Sequence, residues 1–256
     1  MHIIPVRTKA ITPQTPEKLL SILDQYLPVL LEGSIVVVTS KIVSICERSY
    51  RKVSEVANEE DLVKKEADFY LPSEISKYAI TITIKNNLLI PTAGIDESNG
   101  NGYYILWPKD PQKTANEIRQ YLSEKYHLHD IGVVITDSKT TPLRWGTTGV
   151  AIGYSGFKPL QNYIGKPDIF GRNLMVTKAN ILDGLAAAAV LVMGEGDEQT
   201  PLAVISDVSF VSFVNTNPSK KELESLKISI DDDLYAPLLK SVPWEKGGNA
   251  RSKQLI

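Results

Sequence analysis

Cysteine occurs only once, at Cys46, so an internal disulfide is excluded; a chain built this way suits a reducing compartment, and the expected location is the cytoplasm. Histidine is almost as scarce. His127 and His129 flank Leu128, but with no neighbouring Cys and no third His beside them they read as a helix-to-strand connection, not a zinc site. Charge of one sign is missing too. Lys+Arg 28 against Asp+Glu 30 gives a net charge of -2, without the basic footprint that nucleic acid or an anionic membrane would need. The longest apolar run, residues 185–193, is Ala-rich and too short to cross a bilayer, and the N-terminal Met1-His2-Ile3-Ile4-Pro5-Val6 lacks the apolar region of a signal peptide. Neither a Walker-type phosphate loop nor a Gly-x-Gly-x-x-Gly after a strand occurs, so any nucleotide would be held in another way.

The 256 residues, 43% hydrophobic and 23% charged, suffice for one large core. We expect a single domain over residues 1–245, or two intimately packed subdomains, followed by a polar tail, 246–256, that frays. Residues 16–27 have helical spacing, with Leu19, Leu20, Leu23 and Leu27 on one face. Residues 35–39 read as a strand buried on both faces, and 59–69 as an amphipathic helix. Residues 79–84 alternate with period two, and Lys85-Asn86-Asn87 turns them back into Leu88-Leu89-Ile90. A mobile loop is expected at 100–102. Asp110-Pro111 opens a helix running to about Lys125. A strand at 131–136 is followed by a loop without period, 139–148, and a short strand, 150–153. The Gly-, Pro- and aromatic-rich stretch 154–173 predicts a long packed loop, 177–193 a helix and 200–205 a strand. Asp231-Asp232-Asp233 suits the first turn of a C-terminal helix, and Cys46 reads as a small buried hydrophobe. Strands meet turns as often as helices. The expected class is therefore α+β with mixed or mainly antiparallel sheets and flanking helices.

Three segments stand out chemically. Each sets a carboxylate at the end of an apolar run beside a small or Gly-rich turn: Asp96 after Leu88-Leu89-Ile90, Asp137 after Ile131-Gly132-Val133-Val134-Ile135, and Glu195 after the helix ending at Met193. Carboxylates presented by rigid elements suit hard cations such as Mg²⁺ or Mn²⁺, which commonly serve phosphoryl chemistry. Ser40-Lys41, at the end of the 35–39 strand, offers a hydroxyl and an ammonium to phosphate oxygens, or else is a solvated strand end. Arg144 could clamp a carboxylate or phosphate bidentately, or pair on the surface.

Several motifs occur in a fixed order: Val37-Val38-x-Ser40, Ala93-Gly94-Ile95-Asp96-x-Ser98-Asn99, Ile135-Thr136-Asp137, Gly149-Val150-Ala151-Ile152-Gly153, Ser155-Gly156, Tyr163-Ile164-Gly165-Lys166, Gly171-Arg172 and Met193-Gly194-Glu195-Gly196. Together they resemble the coenzyme F-420-0: L-glutamate ligase family, the gamma-glutamyl ligases of deazaflavin biosynthesis, over about residues 3–240. The resemblance implies a family-specific α+β fold, a homodimer, GTP or ATP as co-substrate and two divalent cations. It makes Asp96 and Asp137 metal ligands, with Ser138 and Glu195 serving the second ion. It assigns nucleotide contacts to Ser40, Lys41 and Asn99. To these it adds Lys9, Ala10, Ile11 and Thr12, and Met193, Gly194, Gly196 and Asp197 within the 193–200 loop. Asp137 and Arg144 are the expected catalytic residues.

The implied reaction joins L-glutamate to a carboxylate acceptor through an acyl phosphate. The acceptor would be the deazaflavin precursor or, in a branch associated with folate metabolism, a folate. Where the family commonly has a Gly-Arg pair this chain has Thr140-Thr141, and where it commonly has a Lys after the first strand this chain has Ile45. Those losses of positive charge point toward a folate-like acceptor. They are also compatible with a second reading, a nucleotide- or metabolite-binding protein without catalysis.

Overall fold

The computed structural model describes residues 1–250. Along the chain run β1 (His2–Val6), α1 (Leu19–Tyr26), β2 (Ser34–Thr39), α2 (Ser40–Cys46), β3 (Tyr50–Lys52), α3 (Glu59–Glu66), β4 (Phe69–Leu71), β5 (Ile82–Lys85), β6 (Leu88–Pro91) and β7 (Tyr103–Ile105). After them come α4 (Pro111–Tyr126), β8 (Ile131–Thr140), β9 (Thr147–Ser155), β10 (Leu160–Asn162), β11 (Lys178–Asn180), α5 (Ile181–Met193), β12 (Leu202–Ser206), α6 (Lys220–Ser225), α7 (Ala236–Leu239) and β13 (Glu245–Lys246). The main sheet has the order β1-β12-β2-β8-β9; its β2–β8 pair is parallel and its other pairs are antiparallel. A second sheet has the order β13-β4-β5-β6. The class is α+β, as the sequence pattern indicates.

Strand β2 is apolar on both faces because both faces are covered. Val36 and Val38 meet Ile22 and Leu23 of α1 and Ile118 and Leu122 of α4, while Ile35 and Val37 meet Leu185, Ala186 and Ala189 of α5. Strand β8 alternates likewise, with Val133 and Ile135 on the first side and Val134 on the second. Helices approach closest at two glycines of β9. A Cβ on Gly149 would stand 2.4 Å from the Ala186 carbonyl oxygen, and one on Gly153 would stand 2.5 Å from that of Pro111. These two positions face opposite helices because the register slips between them: Ile135 pairs with Gly153 but Thr136 pairs with Ala151. Ile152 is the extra residue of a β-bulge, and it turns the strand over between the two helix contacts.

Local signals account for several elements. Asn86 and Asn87 both take positive φ, 50° and 67°, as a two-residue hairpin turn requires. The Asp110 side chain accepts the Lys113 N–H and Pro111 starts α4. Cys46 is half-buried, and burial pushes its thiol up to about 12, which suits a packing role.

Other expectations are corrected. In α1 the buried pair is Ile22 and Leu23, while Leu20 is 38% exposed. Helix α3 ends at Glu66 because Phe69 pairs in the second sheet. The strand expected at 79–84 starts at Ile82, since Ala79 takes a left-handed φ of 52°. Residues 139–148 are not an aperiodic loop: β8 runs on to Thr140 and β9 begins at Thr147, so only a short exposed tip joins them. Residues 154–173 do not form a packed loop. Beyond Leu160 they belong to a largely exposed arm, pinned by the β10–β11 pairing, and that pairing delays α5 to Ile181. Asp233 accepts the Tyr235 N–H, whereas Asp231 pairs with Lys240 and caps nothing. The start of the polar tail is tied down: Lys246 pairs with Phe69, and the amides of Gly247, Gly248 and Asn249 donate to carbonyls of Asp68, Lys64 and Ala67. Residues 251–256 lie outside the described residues.

Helix α6 closes one flank through a capping box. The Ser219 hydroxyl accepts the Glu222 N–H, and the Glu222 carboxylate accepts the Ser219 N–H. Lys158 first, and then the two Ser219 donors, hold the Glu222 carboxyl down at about 2. A depressed carboxyl pKa stabilises the fold above the unfolded-state value, and that contribution drains away as pH falls from the unfolded-state value towards 2. Glu222→Gln is therefore expected to cost about 1 kcal/mol at pH 7. The deficit should shrink steadily below pH 4, read from urea midpoints of both proteins at pH 7 and pH 2.5.

Candidate functional site

The parallel pairing of β2 with β8 ends with Thr39 opposite Thr136, where β2 gives way to α2 while β8 runs on against β9. Parallel strands commonly receive ligands beyond their carboxyl ends, and a cleft of about 310 Å³ opens there. Its walls come from distant parts of the chain: Thr8 to Thr12, Thr39 to Lys41, Asp96 and Asn99, Thr136 to Ser138, and Met193 to Pro201. Every residue expected to bind metal or nucleotide lines it. Lys9, Ala10, Ile11, Thr12, Ser40, Lys41, Asp96, Asn99, Asp137, Ser138, Met193, Gly194, Glu195, Gly196 and Asp197 meet there. Arg144 does not. It lies on the exposed β8–β9 tip, with Thr140 and Thr141 beside it, outside the cleft. Ile45 lines the cleft with its side chain buried.

Asp96 is presented by a turn of unusual backbone. Thr92, Ala93 and Gly94 have φ of 53°, 52° and 71°, three left-handed residues in succession, two of which carry a Cβ. Such conformations cost roughly 1–2 kcal/mol each for a non-Gly residue, and they persist where surroundings dictate them. Here the Ala93 N–H is held by the Thr83 hydroxyl at 2.9 Å, and Asp96 bridges to Ile105 through both backbone groups. The Asp96 carboxylate takes Lys41 Nζ at 2.8 Å, the Ser98 N–H at 2.7 Å and the Ser98 hydroxyl at 2.8 Å. Burial raises the Asp96 carboxyl, but Lys41 and Ser98 outweigh it and hold it below its ordinary value.

Asp137 is tuned the other way. Burial pushes its carboxyl up to about 6, against hydrogen bonds from Trp107 Nε1 and the Ser138 N–H; the nearby Asp96 charge adds to the rise. Trp107 fits beneath Gly94, where a Cβ would fall 2.0 Å from Trp107 Nε1. On the opposite wall Glu195 accepts the hydroxyls of Ser138 and Thr147, each at 3.2 Å. Asn99 Nδ2 donates to the Gly196 carbonyl at 3.0 Å and ties the Asp96 loop to the Glu195 loop. Gly194, at φ 81° and ψ 170°, takes a conformation essentially reserved for glycine. The Lys9 ammonium is turned to Glu17 at 3.0 Å, so the cleft meets its stem and backbone.

The donors are hard oxygens, as a Mg²⁺ or Mn²⁺ site needs. They fall into two groups, Asp96 with Asp137 and Glu195 with Ser138, and the Lys41 ammonium already rests on Asp96. Among the described residues no three His, Cys, Asp or Glu side chains gather at one point. A divalent ion held here would need ligand oxygens besides those of the protein. The Thr136 hydroxyl is buried, lines the cleft and has no partner among the described residues.

No local sequence signal marks Trp107 or Thr147. Thr136 was within reach, since it precedes Asp137 in the same motif. Nothing in the sequence near Ile105-Leu106-Trp107-Pro108 points to a carboxylate thirty positions on.

Residues 8–207 match the family model described as F420-0:Gamma-glutamyl ligase. The chain is 43% identical over 126 residues to the Coenzyme F420:L-glutamate ligase of Methanopyrus kandleri, covering 49% of this chain and 50% of that protein. It is 34% identical over 191 residues to the protein of the same name from Methanothermobacter thermautotrophicus, covering 69% and 75%. The corresponding Halobacterium salinarum protein is 41% identical over 119 residues, covering 46% and 45%. The matched stretch thus spans about half the length of the first and third relatives, and three quarters of the second.

Gly94→Ala tests how the Asp96 turn leans on Trp107. Overlap and left-handed strain together are expected to cost roughly 2–4 kcal/mol. Gly102→Ala, also at positive φ but with nothing within 4 Å of its Cβ, should cost only the strain of about 1 kcal/mol. Equal denaturant midpoints for the two variants would mean that Trp107 does not pack against Gly94.

Proposed function

The chain belongs to the F420-0:Gamma-glutamyl ligase family, and from that membership and the cleft we propose that it is a triphosphate- and divalent-metal-dependent gamma-glutamyl ligase. The observation that carries this reading is the convergence, at the ends of one parallel strand pair, of every residue expected to hold metal or nucleotide. A carboxylate is a poor electrophile and must be activated. The acceptor carboxylate takes the γ-phosphoryl group, releasing the diphosphate. The glutamate amine then displaces phosphate from the acyl phosphate and gives up a proton as the amide forms.

Asp96 and Asp137 would hold one ion, Glu195 and Ser138 a second. When bound, the ions would supply charge neutralisation at the phosphates. The chain's own groups do the rest. Lys41, on the first turn after β2, is placed to exchange Asp96 for phosphate oxygens. Gly194 and Gly196 carry no Cβ where the Glu198 carboxylate folds in and accepts the Gly196 N–H at 2.8 Å, so that amide would meet a phosphate only in exchange for Glu198. Trp107 fixes the Asp137 carboxylate from behind. Arg144, outside the cleft in the single chain, has no part in these contacts.

The family description names F420-0 and the relatives' names carry coenzyme F420, which supports a deazaflavin acceptor; for the phosphoryl donor we propose GTP or ATP. Thr140-Thr141 and Ile45 supported a folate on grounds of lost charge. Thr140 and Thr141, however, lie outside the cleft, which weakens that argument. Competing F420-0 and folate for labelled glutamate decides between them. We also propose a homodimer. The tip carries Leu143 and Trp145, 104% and 94% exposed, and the arm carries Ile169 and Phe170, 92% and 88% exposed. Large apolar side chains on two protruding hairpins suit a second copy. Trp145→Glu is expected to shift the species seen by light scattering toward monomer.

Asp137→Asn is expected to lower glutamate-ligating turnover at least ~100-fold, since losing even a supporting partner of a metal ligand costs 10–100-fold. Thermal unfolding should change little. Glu195→Gln should weaken triphosphate binding in Mn²⁺ and leave it unchanged in EDTA. Equal losses with and without metal, measured calorimetrically, would make Glu195 structural.

A further inference from the structure

A second and larger cavity, about 830 Å³, adjoins the cleft. Leu106 lines both, and Trp107 lines the second while its Nε1 holds Asp137 in the first. The volume lies in the range of pockets for drug-sized ligands, and an amino acid of about ten heavy atoms would leave most of it as water. Its inner wall carries a buried cation. Lys85 is 6% exposed in its side chain, pairs with Glu66 at 3.2 Å and lies 5.3 Å from the Trp107 ring centre.

The charges around this cavity are unequally engaged. Its acids are occupied: Glu66 by Lys85, Asp68 by the Asn86 N–H, Asp110 by the Lys113 N–H, and Asp183 by the Ala151 N–H and Asn180. Three of its cations lack an acidic partner, although the Arg51 guanidinium donates to the Tyr50 carbonyl at 2.8 Å. Arg48, Arg51 and Lys109 are exposed and make no ion pair among the described residues. They are neighbours, because Tyr50 pairs with Ile105 in the β3–β7 ladder and the Ser49 hydroxyl donates to the Trp107 carbonyl. Cations without acidic partners at one rim, apolar side chains such as Leu182 and Ile152, and an indole face make a site for a large organic anion.

We propose that this cavity binds the acceptor as a large, partly aromatic anion, held by Arg48, Arg51 and Lys109 at the rim, with its reacting carboxylate toward Trp107 and the cleft. The identity of that ligand rests on the ligase reading above; the site itself rests on the cavity and its unpaired cations. The cleft then keeps its own space for the triphosphate, and the two ligands bind together.

The test uses the full chain with F420-0 and folate as probes, and Mn²⁺ with GTP as the cleft ligand, by calorimetry. One variant carries Arg48→Gln, Arg51→Gln and Lys109→Gln, three exposed positions where the fold has little to lose. A second, Leu226→Trp, narrows the cavity from a partly buried wall position. Both are expected to weaken the better probe at least tenfold and to leave GTP affinity within twofold. The triple variant should also flatten the salt dependence of probe binding. Unchanged probe affinity in both variants would overturn the inference and leave the ligase reading intact. Parallel loss of probe and GTP affinity would assign the rim to the nucleotide and overturn it as well. If neither probe binds the wild-type chain, the inference also falls; turnover of labelled glutamate in the same preparation then shows separately whether the ligase reading stands.

Discussion

The parallel pairing of β2 with β8 is the constraint on which the rest of this structure depends. It runs without slippage from Ser34 opposite Ile131 to Thr39 opposite Thr136. The pairing therefore ends at one level, and the next residues lie side by side: Ser40 and Lys41 where β2 turns into α2, Asp137 and Ser138 where β8 continues against β9 alone. A parallel pair needs cover on both faces, and α1 and α4 supply it on one side and α5 on the other. The same α5 that buries Ala186 and Ala189 then delivers Glu195 at its far end. Packing and site geometry are thus one requirement.

The two aspartates show how a shared wall can hold one kind of group in two states of readiness. Asp96 is half-exposed and neutralised by an ammonium at 2.8 Å, so its carboxyl is held low. Among the described residues Asp137 forms no ion pair; neutral donors from Trp107 and Ser138 only partly offset its burial, and it rises to about 6. A dication arriving between them would replace Lys41 on Asp96 and relieve the desolvation of Asp137. Its binding energy would therefore depend on what Lys41 finds in exchange, and a phosphate oxygen is the natural substitute. On the proposed reading, that exchange would couple metal to nucleotide through side chains alone.

Much of this was legible in the chain, for reasons that differ from element to element. The Asn86-Asn87 turn, the Asp110 cap and the run 131–136 are written within a few residues, and local signals fix them. The residues expected to hold metal and nucleotide stand in ordered motifs, and the cleft gathers them. What the sequence hid is non-local. Residues 139–148 have no period because their partner strand is itself, folded back across a short exposed tip, and pairing rather than patterning makes them strands. The stretch 154–173 looked packed because it is rich in Gly, Pro and aromatics, yet its apolar side chains face outward on an arm. Arg144 has a suitable guanidinium, but it stands on that exposed tip. Trp107 escaped notice because its role is fixed by a turn of Gly94 and by a strand thirty positions away.

Strand β1 is an edge of the main sheet, and its sole neighbour there is β12, register-matched from His2 with Ser206 to Val6 with Leu202. During synthesis β1 therefore waits until β12 is made, and β12 must slide in between β1 and β2. Non-local pairing of this kind folds slowly and leaves an apolar strand unpaired on the nascent chain. Thr8, whose N–H binds the Gln199 carbonyl, cannot take its place in the cleft until that insertion is complete. The cleft is thus completed from both ends of the chain at once, since its Thr8 wall cannot be set until the 193–201 wall has been made.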